Sequence, residues 1–225
     1  MEIDEIGTPI LKYGTDIYGK EILELSSKNR NSPYIGTNSI VMMEWEKDYM
    51  KQLVNALTID SGSIVLEIGW GCGYSGTEIQ EKNPKMHVII ECSSTVLKRA
   101  HKWAESRPSV KIIEGYWQNI LASDILASYN FDRVFFDDFP LSTPGSTNYQ
   151  STKKSRWEKF VNATLPFLSR TAIITGYMAR PIYIDALGYD INQNITLCDV
   201  KVPSNCPYFP YEKACVPRIM LTKAK

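Results

Sequence analysis

The run Ile64-Val-Leu-Glu-Ile-Gly-Trp-Gly-Cys-Gly73 limits the folds open to this chain more than any other stretch. Its apolar start has no helical period and reads as a buried strand. Glycine then recurs at positions 69, 71 and 73, so the chain turns sharply before resuming as a helix over 75–82. Glycine has no Cβ and tolerates positive φ, which lets backbone come close to a ligand. The same alternation continues downstream. Strands are expected at 63–68, 86–91, 110–114, 132–137 and 171–175, and helices at 75–82, 94–105, 118–128 and 154–168. Repeated β-α units build a parallel sheet with helices on both faces. The tail differs: 195–202 and 216–222 read as strands around a Pro/aromatic loop, an antiparallel pair ending the sheet.

Upstream of this core, residues 1–14 read as an irregular arm, and Thr15 or Asp16 is placed to cap a short helix over 17–27. Asn29–Asn38 is rich in turn residues, and 40–57 carries Val41, Trp45, Tyr49, Leu53 and Leu57 at helical spacing. The expected organisation is an arm with helices over 1–60 forming a lid, and a core over 61–225. A chain of 225 residues suffices for one such α/β unit. Lys+Arg and Asp+Glu are both 25, so no global charge favours nucleic acid or an anionic membrane surface. The cysteines at 72, 92, 198, 206 and 215 form no Cys-x-x-Cys pair, which argues against a zinc or redox site. With no N-terminal apolar segment, the expected location is cytoplasmic.

Gly71-x-Gly73-x-x-Gly76 matches the dinucleotide-binding fingerprint, with Glu91 following Gly71 by 20 residues at a strand end. Two features oppose a pyrophosphate. The glycines begin at 69, a looser turn, and Glu67 would face an anion with the wrong sign. A nucleoside sulfonium, S-adenosylmethionine (SAM), suits these residues better. Glu91 can take the ribose diol, and Trp70 or Trp117 can offer an aromatic face to the cation. An NAD(P)-dependent oxidoreductase and a turn that binds nothing are the competing readings.

A second constellation is Asp137-Asp138-Phe139-Pro140, at the end of the fourth strand of the parallel set. Ligands of open α/β sheets bind outside the carboxyl ends of the strands. Asp137 there can orient an amine and accept its proton; an Asp that merely caps a turn is the bland alternative. His87 and His101 stand apart from every motif, and the tail aromatics read mainly as packing.

Several segments together resemble guanidinoacetate N-methyltransferase: 41–50 (Val-Met-Met-Glu-Trp-Glu-Lys-Asp-Tyr-Met), 65–71, Ile-Ile-Glu-Cys at 89–92, Glu-Gly-Tyr-Trp-Gln at 114–118, 131–140, and the tail at 206–209 and 217–223. The resemblance implies a Rossmann-like class I methyltransferase with a seven-stranded, mostly parallel sheet, helices on both faces and an N-terminal helical arm. It places Glu67, Gly69, Trp70, Gly71 and Gly73 around the methionine moiety of SAM, Glu91 and Cys92 at the ribose, and Gly115, Tyr116, Trp117 and Gln118 beside the adenine. Met50 would line the donor pocket and Met42 would face the acceptor. Glu46 and Asp137 would be the catalytic pair that grips a guanidinium. Elementary chemistry supports two carboxylates. A guanidinium arrives protonated at any physiological pH and must approach another cation. Two acids offset that repulsion and fix the planar fork.

The segments that would recognise the acceptor depart from the resemblance. No tryptophan precedes Trp45, leaving Tyr13 and Tyr18 to cover the site, and the stretch after 175 is short, leaving Tyr177 and Arg180 as candidates there. Asp138 replaces a neutral hydroxyl residue and would add negative charge. The expected activity is therefore SAM-dependent N-methylation of a small molecule, a guanidino compound first and a heterocyclic nitrogen second, with no metal, in a monomer or homodimer. A non-catalytic module that retains the fold is the remaining class.

Overall fold

The computed structural model describes residues 10–26, 40–139 and 155–224. The turn-rich Asn29–Asn38 stretch, Pro140 and most of the arm at 1–14 lie outside the described residues. Among the described residues, ten strands and five α-helices follow in chain order. Three strands come first: β1 (Leu11–Thr15), β2 (Glu21–Leu25) and β3 (Ile40–Met43), joined in an antiparallel sheet in that order. Helix α1 (Glu46–Ala56) leads into the core. The core runs β4 (Ile64–Ile68), α2 (Tyr74–Glu81), β5 (Met86–Glu91), α3 (Ser94–Ala104), β6 (Val110–Glu114) and α4 (Trp117–Leu121). It continues with β7 (Phe131–Phe136), α5 (Arg156–Thr164), β8 (Leu168–Gly176), β9 (Tyr189–Asp199) and β10 (Lys213–Lys223).

The large sheet has seven strands in the order β6-β5-β4-β7-β8-β10-β9. The first five are parallel, and β10 pairs antiparallel with both β8 and β9. Alternate residues of each central strand face opposite sides. Leu66, Ile68, Val88, Ile90, Val134 and Phe136 join the core on one face; Val65, Ile89, Phe135 and Ile173 join the core under α1 and the small sheet on the other. The chain steps from β4 outward through β5 and β6, then returns to place β7 on the other side of β4. That reversal opens a crevice at the carboxyl ends of β4 and β7.

The expected helix over 17–27 is instead the hairpin β1–β2. Asp16 does cap, but what it caps is a turn: its Oδ1 accepts from the N–H groups of Tyr18 (2.8 Å) and Lys20 (2.9 Å). A helix N-cap and an Asx turn use the same side-chain acceptor, so Asp16 alone did not distinguish them. Likewise the helix expected from residue 40 begins only at Glu46. Ile40–Met43 pairs with β2, burying Met42 and Met43. Helix 118–128 stops at Leu121 and resumes as a single 3-10 turn, Asp124–Leu126. Helix 154–168 starts after Ser155, whose hydroxyl accepts from the Glu158 N–H (3.1 Å), and tightens to 3-10 at Leu165–Phe167, where Pro166 sits. Among the described residues no helix is long and apolar enough to cross a membrane.

Candidate active site

The crevice is a cavity of about 660 Å³. Of the residues singled out in the sequence, Met42, Glu46, Gly69, Trp70, Gly71, Glu91, Cys92, Gly115, Tyr116, Trp117, Gln118, Asp137, Asp138 and Tyr177 line it. Four others do not. Met50 is wholly buried in the core under α1. Tyr18 is 58% exposed at the hairpin tip, its hydroxyl 3.1 Å from that of Ser204. Gly73 closes the turn as the N-cap of α2, and Glu67 is fully buried in β4.

The glycines serve the protein's own packing before any ligand's. Gly69 has φ 78°, and a Cβ there would overlap the carbonyl oxygen of Asp137. The end of β4 and the end of β7 therefore touch through backbone, with the Asp137 N–H donating to the Ile68 carbonyl (3.0 Å). Gly73 has φ 80°, and a Cβ on it would enter the indole of Trp70; one on Gly76 would sit 2.7 Å from Trp70 Nε1. The fingerprint spacing thus makes room for a tryptophan folded back over the start of α2, its ring 5.6 Å from that of Trp103. Trp70 is 2% exposed and its ring is part of the core under the small sheet. Gly73→Ala combines positive φ with overpacking and is expected to lower stability by about 2–3 kcal/mol, read as a loss in thermal melting.

Glu67 is also turned away from the cavity. It is fully buried, with Oε1 accepting from the Ser75 hydroxyl (2.5 Å) and Oε2 2.8 Å from His87 Nε2. His87, which the sequence leaves apart from every motif, is its partner on the adjacent strand β5. Glu91 holds the turn from the other side. Its Oε2 accepts from the Trp70 N–H (2.9 Å), and its Oε1 from those of Cys92 and Ser93 (2.8 Å each). Burial raises its pKa, opposed by these backbone donors. Tyr13, from β1, donates its hydroxyl to the Gly71 carbonyl (2.6 Å), tying the small sheet to the turn.

Glu46 and Asp137 reach the cavity from opposite elements. Glu46, in the first turn of α1, is 3% exposed. Its Oε1 accepts from the Met43 N–H (3.2 Å) and from the Tyr208 hydroxyl. Burial pushes its pKa up to about 7. Asp137 is half-buried. Its pKa is raised well above the usual carboxylate range, first by burial, then by the like charges of Glu46, Asp138 and Glu67. A cation held between the two acids would favour their ionised forms and lower both pKa values.

Asp138 does not add the free negative charge expected of it. Arg156, at the start of α5, donates through Nε to both carboxylate oxygens (2.7 Å each) and through a terminal nitrogen to Oδ2. The Trp117 indole N–H also donates to Oδ2 (2.6 Å). Arg156 escaped the sequence reading because it lies 18 positions from its partner, and Tyr208, one of the tail aromatics read mainly as packing, lines the cavity as well.

The donor set fits SAM. Glu91 and Gly115 stand at the ends of β5 and β6, and the Oε1 of Gln118 is a buried acceptor with no hydrogen-bond partner among the described residues. An exocyclic amino group such as adenine's would satisfy it.

Among solved structures, the fold is similar to TYW2 of M. jannaschii in complex with AdoMet (TM-score 0.55, 14% identity, 97% of this chain and 89% of that one). It is also similar to the putative transferase PH0793 from Pyrococcus horikoshii (TM-score 0.53, 11% identity, 97% and 74%). Curated relatives include protein arginine N-methyltransferase 2 of Candida glabrata (42% identical over 106 residues, 44% of this chain and 25% of that one). The protein of the same name from Yarrowia lipolytica is 27% identical over 204 residues, covering 83% of this chain and 39% of that one. The chain thus spans about a quarter to two-fifths of the length of these relatives. Residues 31–165 match the guanidinoacetate N-methyltransferase family. With that match over more than half its length and a seven-stranded class I methyltransferase sheet beneath it, the chain belongs to the guanidinoacetate N-methyltransferase family of SAM-dependent N-methyltransferases.

Proposed function

We propose that this chain methylates a nitrogen of a guanidinium group, and that Glu46 and Asp137 hold the acceptor. The observation that carries this reading is the pair itself: a buried and a half-buried carboxylate, both with raised pKa values, lining one cavity in which the described residues put no cation between them. When bound, SAM supplies an electrophilic methyl group. Glu91, the 69–71 backbone, and Gly115 to Gln118 would hold it. Glu46 and Asp137 would orient the planar fork and lower both their own pKa values by gaining a positive partner. One carboxylate then accepts a guanidinium N–H proton, which frees the lone pair of that nitrogen. The walls from Tyr177 and Tyr208 would exclude water. Alignment and prearranged charge supply most of the rate.

The expected small-molecule acceptor and an arginine side chain differ in one respect. Guanidinoacetate carries its own carboxylate close to the guanidinium. Arg156 is the one cationic side chain lining the cavity among the described residues, and Asp138 holds it. A nearby acceptor carboxylate would thus meet acids rather than a free cation. This favours arginine within a peptide or protein, in line with what the curated relatives are named for. Methylation with labelled SAM, run over arginine peptides, free arginine, guanidinoacetate and azaheterocycles and read by mass spectrometry, tests it. Peptide arginine is expected to be methylated fastest. A lead by guanidinoacetate would reverse the acceptor assignment, and methylation of azaheterocycles alone would overturn the guanidinium reading.

A further inference from the structure

Four carboxylates line the cavity; Glu91 is held by backbone N–H groups of the donor turn, which leaves Glu46, Asp137 and Asp138, yet a guanidinium fork needs two. Arg156 engages Asp138 through both of that residue's oxygens. Its guanidinium carbon also lies 6.0 Å from the centre of the Trp117 ring, and that indole donates to the same carboxylate. Trp117 in turn packs edge-on against Phe136 and Phe160 (5.9 and 5.4 Å). We infer that Arg156 is a positioning residue: it cancels the charge of Asp138 beside Asp137 and locks Asp138 to Trp117, so that one wall grips the acceptor and the other shapes the donor pocket. The inference rests on the guanidinium reading for its catalytic half, while the Arg156–Asp138–Trp117 cluster stands on its own geometry.

The groups facing Asp137 bear on the test. The titratable groups that act on it or feel its charge are Glu46 and Tyr49 on α1, Glu67 on β4, Tyr177 in the segment after β8, and Asp138 at the next position. Arg156 acts on this set through Asp138. Removing its charge leaves one more uncompensated anion beside Asp137, so Asp137 holds its proton to a higher pH. Removing the charge of Asp138 instead leaves an excess cation and does the reverse.

The test compares the acid limb of the pH dependence of kcat/KM for the acceptor in Arg156→Met, Asp138→Asn and the double variant. The limb is expected to move up by about one pH unit in Arg156→Met, by analogy with a single charge near an active-site carboxylate, and down in Asp138→Asn. The double variant is expected to return it to the parent position. Loss of activity in either single variant without movement of the limb, or a double variant no better than the worse single, would reduce Arg156 to a structural role and overturn the inference. Thermal melting against pH gives a readout that needs no turnover. Arg156→Met is expected to lose melting temperature as pH rises from 6 to 8, because the folded-state pKa values of the acids are raised further, and Asp138→Asn to restore it. If the parent enzyme methylates no guanidine, the guanidinium reading fails while this melting pattern still decides the cluster. A flat melting pattern in all three variants overturns the inference whichever acceptor is found.

Discussion

Asp137→Asn is expected to lower kcat/KM for the acceptor by about 10³-fold, the loss expected for a prearranged charge that also takes a proton. Affinity for SAM or its demethylated product, measured by calorimetry, is expected to stay close to that of the parent. The separation follows from the geometry. Asp137 meets the donor turn through its backbone, with its N–H on the Ile68 carbonyl and its own carbonyl against Gly69. Asparagine leaves those contacts in place. It removes only the negative charge and proton acceptor presented to the acceptor. An equal loss of donor binding would mean that the side chain belongs to the donor pocket.

Glu46→Gln is expected to abolish measurable turnover and, above neutral pH, to make the protein more stable. Both recorded hydrogen bonds to Glu46 end on Oε1, and the amide oxygen of glutamine can accept from Met43 N–H and the Tyr208 hydroxyl as well. What changes is the charge. Glu46 has a folded pKa of about 7 against an ordinary value of 4.5. A group whose pKa is raised on folding contributes stability that is fully present below the ordinary value. That contribution is lost as pH climbs through the folded value. Between pH 4.5 and 7 the parent therefore gives up as much as about 3 kcal/mol, at 1.36 kcal/mol per unit. Glutamine does not titrate and keeps it. Melting curves at pH 5 and pH 8 check this: parent and variant should converge at the lower pH and separate at the higher. Separation of equal size at both pH values would point to packing rather than charge. On the same titration, acceptor binding by the parent is expected to improve as pH rises through about 7, because only the ionised carboxylate attracts a guanidinium.

The parallel core was legible because its strands are continuous apolar runs and its helices are amphipathic, and these two patterns do not mimic one another at such lengths. The small sheet was misread for a local reason. Asp16 offers the same acceptor to a hairpin turn as to a helix, and the spacing of Val41 and Trp45 continues a helical pattern across a strand. Only pairing with β2, a non-local event, decides in favour of extended backbone. The cavity-lining acids at strand ends were legible for the same reason the core was, since strand ends gather at one edge. Glu67 shows the limit. Its partner His87 lies two residues before the position opposite it on β5, so their contact exists only once the register does. Arg156 is invisible in the sequence because nothing local links it to Asp138, 18 positions earlier.

Glu46 and Asp137 belong to different parts of the chain's architecture. Strand β3 of the small sheet runs almost directly into Glu46, whereas Asp137 ends a central strand of the large sheet. A cation gripped by both acids is therefore a staple between two sheets. Each acceptor that binds adds its own grip to the contacts that already dock the small sheet, among them Tyr13 on Gly71. If the two acids hold the acceptor as proposed, then by linkage the order of the first three strands and the occupancy of the acceptor site form a single equilibrium, and a substitution in the β1–β2 hairpin is expected to weaken substrate capture from a distance without touching the substrate.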